Sequence, residues 1–189
     1  FGEHNIEKMR EFSEEITGEQ KIELEKKIKM FIENPSLVLT GTWYSAKLLS
    51  GEVRPYSPID DDMEFKRNLF YRNPICHASA MFKKNAYESV SGYDLRFTTC
   101  QDLDLWFRIS KIGRVGFVTE DLVLRRISIN SISQSSKAYL QVLNSFIIRW
   151  RERKHYPGDG ATVIIVVVTI KHFLITMILS LHKTLNIFK

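Results

Sequence analysis

The sequence predicts an α/β domain, a mixed sheet with flanking helices, followed by a C-terminal helical tail. Three observations predict it. Short β-rich runs, such as residues 36–44, alternate with segments whose apolar residues recur at helical spacing. Tyr156-Pro157-Gly158-Asp159-Gly160 marks a sharp break. Beyond that break, residues 162–181 are almost wholly apolar. With 189 residues, 44% of them hydrophobic, the chain can bury one core, and 26% charged residues read as globular rather than disordered.

Thr17-Gly18-Glu19-Gln20 has the spacing of a capping box and opens a helix whose apolar face is Leu24, Ile28, Phe31 and Ile32. Asn34-Pro35 stops it. Residues 36–44 form a buried strand, and Ser50-Gly51 turns the chain to a short partner strand. Asp60-Asp61-Asp62 caps a short helix bearing Met63, Phe65, Leu69 and Phe70. Residues 74–82 read as a strand, with Ile75, His77, Ser79 and Met81 on one face and Cys76, Ala78, Ala80 and Phe82 on the other. A turn at Ser91-Gly92-Tyr93-Asp94 leads to a helix over 101–111 that stops near Gly113. Residues 115–118 and 121–125 read as two short strands. A helix over 135–154 carries Tyr139, Leu143, Phe146, Ile147 and Trp150 on its apolar face. The chain has no internal repeat and no low-complexity tract.

A net charge of +5 suits nucleic acid, an anionic membrane or a phosphorylated substrate and does not choose among them. It lacks the basic and aromatic platform of a nucleic-acid binder, so no nucleic-acid partner is expected. Cys76 and Cys100 belong to no Cys-x-x-Cys pair and no Cys/His cluster, so no metal-ligand set is expected among them. Phe1-Gly2-Glu3-His4 opens the chain without a basic segment, an apolar segment or an initiator Met. The expected setting is cytoplasmic and reducing, with a disulfide left open and a start that falls mid-protein.

Residues 73–133 hold the chemistry. Asp102 and Asp104 stand two apart on the 101–111 helix, about 200° around its axis, so they cannot make one paired-carboxylate site. Asp104 precedes Arg108 by four residues, the spacing of a helical ion pair, which favours a structural role. Asp102 lies in the first turn, where a carboxylate either complements the helix dipole or faces a ligand.

The order of these pieces resembles the C-terminal half of the catalytic domain of inverting family-2 glycosyltransferases. The matching pieces are Asn73-Pro74-Ile75-Cys76-His77, Ser91-Gly92-Tyr93-Asp94, Gln101-Asp102-Leu103-Asp104-Leu105-Trp106-Phe107-Arg108, Glu120-Asp121-Leu122 with Arg125-Arg126, and Asn130-Ser131-Ile132-Ser133. The resemblance covers residues 19–135. It implies a partial GT-A-like, Rossmann-related mixed sheet, with residues 1–18 unmatched and residues 136–189 a basic and then apolar tail. It implies Asp102 as the general base that takes a proton from an acceptor hydroxyl. It implies His77, Gly92, Tyr93, Asp94 and Asp104 as substrate-binding positions. The implied ligands are a nucleotide-sugar donor and a glycan, lipid-linked or small acceptor.

The resemblance also implies a divalent metal, Mg or Mn, but the family's Asp-x-Asp motif and nucleotide-binding half are not found before residue 19. Asp60-Asp61-Asp62 follows the first matched helix and strand, whereas the metal motif precedes them, so it reads as a cap. A separate chain supplying the nucleotide half is one expectation, and a fragment or truncated product the other. Ser91 stands where the family has glycine, Arg125-Arg126 where it has Tyr-Arg, and Ser128 where it often has a histidine that helps hold the metal.

In the tail, Arg149, Arg151, Arg153, Lys154 and His155 precede the apolar segment. That order suits a peripheral protein on the cytoplasmic face of a membrane, with residues 149–189 as the contact. About twenty largely apolar residues are long enough to span, but Lys171 and His172 near the middle make spanning cost several kcal/mol. An interfacial helix is therefore favoured over a core-packed or spanning one.

Overall fold

The computed structural model describes residues 17–56, 59–127, 138–156 and 158–187. Expectations placed on residues 1–16, on Ser128, on Asn130–Ser133 and on the helix start at 135–137 lie outside them.

Helix α1, Gly18–Glu33, begins as the capping box requires: Gln20 N donates to Thr17 Oγ1, and Thr17 N donates back to the Gln20 side chain. Its buried face is rotated from the apolar stripe. Glu23 and Lys27 are buried, while Ile28 is exposed and Ile32 is 73% exposed. The rotation follows from Lys27, whose Nζ pairs with Glu23 at 2.7 Å and donates to the Ser79 carbonyl at 3.0 Å. A buried cation with two acceptors fixes the helix more firmly than one exposed isoleucine can oppose.

Strand β1, Leu37–Lys47, is longer than expected and buried over nearly its whole length. It is the centre of a four-stranded mixed sheet. Along one edge it pairs in parallel with β4, Arg114–Arg126, from Leu37 opposite Arg114 to Lys47 opposite Arg126. Along the other edge it pairs antiparallel with β2, Val53–Tyr56, and β3, Met81–Phe82. The two short strands expected at 115–118 and 121–125 are this single β4. Thr42 faces Val118 and Trp43 faces Asp121, so Thr119 and Glu120 form an irregularity inside one strand rather than a turn between two.

Helix α2, Asp62–Asn68, is capped as expected, with Glu64 N donating to Asp61 Oδ1 at 2.9 Å. Asp62 accepts from Val115 N and pairs with Lys66, tying α2 to β4.

The strand expected over 74–82 is not formed. The chain makes a 3-10 turn at His77–Ser79, and only Met81–Phe82 joins the sheet. Pro74 has no N–H to give a ladder, and Ser79 turns back to donate from both N and Oγ to the Cys76 carbonyl. His77 is exposed and Ser79 is buried, so the two do not share a strand face.

Helix α3, Lys84–Ser89, leads to the Ser91–Asp94 turn. Helix α4, Gln101–Ile109, is the most buried helix, with Leu103, Leu105, Trp106, Phe107 and Ile109 all in the core. Helix α5, Ala138–Glu152, lies beside it. Its buried residues are Ser145, Ile148, Arg149 and Glu152, whereas Tyr139, Leu143, Ile147 and Trp150 are exposed. The expected apolar face is thus the outer one, because the opposite face carries an ion-pair network: Glu152 meets Lys111, Arg151 and His155.

The long helix α6, Ala161–Ile187, packs along α5 and inserts Ile165 into the core. Val163, Val166, Val167, Ile170, Phe173 and Leu174 form an exposed apolar stripe on its other side. At about 100° per residue, Lys171 falls on the border of that stripe, while His172 points to the packed side.

Candidate active site

The site is organised by the start of α4. Cys100, just before it, takes left-handed backbone angles of φ 61° and ψ 20°. Such a conformation is costly for a residue with a side chain and persists where the surroundings demand it. Here Cys100 Sγ donates to the Gln141 carbonyl of α5, and Asp104 N donates to the Cys100 carbonyl. The chain therefore enters α4 at one angle, and that angle aims Asp102.

Asp102 accepts two hydrogen bonds. Leu103 N donates to Oδ1 at 2.8 Å, and Asn73 Nδ2 donates to Oδ2 at 2.7 Å. The first is the first-turn role expected of a helix-start carboxylate. The second comes from 29 residues away and fixes the rotamer. Asp102 lines a cavity of about 640 Å³ together with Asn73, His77, Tyr44 and Cys100. Both cysteines are free, and both border this cavity. Burial, with the field of Asp102, pushes the Cys100 thiol up to about 11, which makes it a poor nucleophile at neutral pH.

His77 and Tyr93 are brought together. His77 Nε2 and the Tyr93 hydroxyl lie 2.8 Å apart, and the His77 ring stands edge-on to Trp106 at 6.0 Å. Burial raises the Tyr93 phenol, and the nearby Tyr87 and Asp102 raise it further, so it stays a neutral donor or acceptor. Tyr93 N in turn donates to the Tyr87 hydroxyl. Asp102 and His77 thus line one cavity although they come from different segments, and Tyr93 is joined to it through His77.

The remaining expected positions have other duties. Gly92 is buried at φ 63°, and a Cβ there would meet the Tyr87 ring at 2.7 Å. What its missing side chain admits is Tyr87. Ser91, the residue in the place of the family's glycine, also has a positive φ of 63°. Asp94 is clamped by Arg96, which holds its carboxyl down at about 2. Asp104 is 0% exposed and does not line the cavity. Its carboxylate is taken up by the expected Arg108 and by Arg151 of α5, so it joins helices rather than greeting a substrate.

Sequence reasoning quotes Asn73, Arg125 and Arg149 but gives none of them a place at the site, and it passes over Arg72. Asn73 stands in the Asn-Pro-Ile run and is legible there as a site residue. Arg72, Arg125 and Arg149 come from a loop, the end of β4 and α5, and no local pattern unites them. The wall is completed by His172, Ile175 and Thr176 of α6.

This donor set does not fit a divalent cation. One carboxylate, already holding an amide, stands among three guanidinium groups, whereas Mg or Mn requires several oxygen ligands without competing cations. Among the described residues no three His, Cys, Asp or Glu side chains converge.

Fold and site together define a mixed α/β chain with one carboxylate at a cationic cavity. No model of a known protein family matches the chain, and no curated protein matches it.

Proposed function

We propose that this chain belongs to the acceptor side of an inverting, family-2-type glycosyltransferase of GT-A fold, with Asp102 as general base. One observation carries the reading. The Asp102 carboxylate borders a roomy cavity that His77, hydrogen-bonded to Tyr93, also lines, and it is held in one rotamer by Asn73. A base must sit within hydrogen-bond reach of the proton it takes, and a fixed carboxylate at a cavity wall meets that requirement. The resemblance of the 73–133 motifs, in order, supplies the reaction class.

The step is a displacement. Asp102 accepts the proton of an acceptor hydroxyl as that oxygen attacks the anomeric carbon of the donor sugar. A new carbon–oxygen bond forms, the bond to the nucleotide diphosphate breaks, and the diphosphate leaves with the electron pair. Attack opposite the leaving group inverts the anomeric centre. His77 and Tyr93 are placed to orient sugar hydroxyls. The metal that the resemblance implies has no ligand set in this cavity, so no step is drawn through it.

A peripheral membrane position belongs to the same reading. The exposed stripe of α6, the outer face of α5 with Tyr139 and Trp150, and the basic cluster around Arg153 and Lys154 suit an anionic interface. Trp150 lies under the Arg153 guanidinium at 4.6 Å, an arrangement at home at a headgroup boundary. Membrane-delivered, lipid-linked acceptors fit this placement.

The test is Asp102→Asn assayed with a panel of nucleotide sugars and lipid-linked or glycan acceptors. A lost general base lowers turnover by about 10²–10⁴-fold. The unfolding midpoint should stay close to that of the parent, because asparagine keeps the Leu103 N–H bond. Unchanged turnover removes Asp102 from the chemistry.

A further inference from the structure

Arg149 is the least expected residue of the cavity. Its side chain is 2% exposed, and its Nε donates to the Leu69 carbonyl at 3.0 Å. Its Nη1 is buried with no hydrogen-bond partner, and no carboxylate pairs with it among the described residues. A guanidinium removed from water without an anion is penalised by several kcal/mol. The strain registers in the group itself, since burial pulls Arg149 down to about 10, still protonated at neutral pH. Proteins retain such a charge where something else completes it.

The surroundings state what would complete it. Arg72 and Arg125 line the same cavity and form no ion pair among the described residues. Against three guanidinium groups the described residues of the cavity offer the single carboxylate of Asp102, which Asn73 already engages. His172 stands by as a further donor, held below its ordinary value by burial, by Arg149 and by Lys171. A monovalent carboxylate ligand would satisfy one arginine. A phosphate, with up to two charges and three free oxygens, can satisfy several, and planar guanidinium forks match its geometry.

We propose that this cavity holds an anion-binding subsite, centred on Arg149 and assisted by Arg72 and Arg125, for a phosphate group of its ligand. The subsite goes beyond the sugar-transfer reading and needs no base. Two sources present the same chemistry. One is a soluble phosphate, and the other is a lipid headgroup whose apolar chain leaves past Ile175 of α6, which lines the cavity and is itself exposed.

The whole chain is titrated with inorganic phosphate by calorimetry. It is also sedimented with phosphatidylcholine vesicles that contain phosphatidic acid or lack it. Arg149→Met is expected to weaken phosphate-dependent binding at least about tenfold, and Arg72→Gln or Arg125→Gln several-fold. Asp102→Asn, which removes the cavity's negative charge, should keep or strengthen it, so that failure here and failure of the proposed base are told apart. Arg149 dependence in the phosphate titration assigns a soluble ligand. Arg149 dependence of only the phosphatidic-acid increment assigns a lipid headgroup. Arg149→Met also loses the bond to Leu69, so circular dichroism checks its fold. Should it unfold, the two exposed arginines, Arg72 and Arg125, decide the matter. Binding of neither titrant, or binding that none of the arginine substitutions alters, overturns the subsite.

Discussion

Asp102 and Asp104 show how two neighbouring carboxylates part company. Their separation around the helix sends one to the cavity and the other into the core. Asp104 is surrounded by Leu103, Leu105 and Phe107 along its own helix and survives there as a carboxylate because Arg108 and Arg151 both reach it. Asp104→Asn should therefore destabilise by about 3 kcal/mol, the low end for a broken buried pair, since both guanidinium groups still touch solvent. Urea unfolding measures it, and an unchanged midpoint would mean that the three-way contact contributes nothing. The Asp104–Arg108 half of this contact is legible from a spacing of four. Arg151 is not, because 47 residues separate it from Asp104 and nothing local joins them.

At the scale of elements, local signals serve well and long-range ones do not. The Thr17 box, the Asp61 cap, the stop near Gly113 and the break at 156–160 each depend on a few adjacent residues. Each is present where the sequence predicts it. The segment 74–82 has the alternation of a strand, yet the Cys76 carbonyl and Ser79 hydroxyl settle it as a turn. The buried faces of α1 and α5 depart from their apolar stripes for one reason. In both, a polar residue with a distant partner, Lys27 with Ser79 and Glu152 with Lys111, outweighs exposed aliphatic side chains.

Helix α6 extends about 40 Å, more than a bilayer's hydrocarbon core, yet its packed side is pinned to α5. On the membrane reading proposed above, a flat, half-immersed helix would satisfy both facts, with Lys171 reaching up from the edge of the stripe. Changing Val167 and Ile170, 58% and 53% exposed, to glutamate should reduce retention on anionic vesicles by about tenfold or more. The unfolding midpoint should not move, as neither side chain contributes to the core. Full retention would argue that this stripe is not the membrane contact.

Across the whole molecule, acid should be the weak direction. Arg96 holds Asp94 at about 2, down from 3.8. Burial pushes Glu152 up, but hydrogen bonds from Lys111 and Arg151 outweigh it and hold that carboxyl below its ordinary 4.5. Both groups bind protons less readily folded than unfolded, so their contribution is complete above the unfolded values and disappears as pH falls through the folded ones. Stability should be level near neutrality and decline from about pH 4.5 toward 2. Urea midpoints across that range test the sign, and a rise on acidification would contradict it.

The cavity itself needs residues 44, 73, 102, 125, 149 and 172 at once, and no window of sequence contains them. The motif run points to Asp102 and His77. It includes Arg125 but gives no hint that Arg72 and Arg149 join it, a convergence that belongs to the assembled sheet and tail.

The clasp of Asp104, Arg151, Glu152 and Lys111 also bears on how this chain can be shortened. A cut made before Arg149, natural as it looks for shedding a greasy end, would strip the counter-charges from the helix that carries Asp102. What resembles an appendage is, as far as residue 155, scaffolding for the helix that carries Asp102. The portion after the Gly158–Gly160 bend is no more dispensable, since Ile165 enters the core and His172, Ile175 and Thr176 line the cavity.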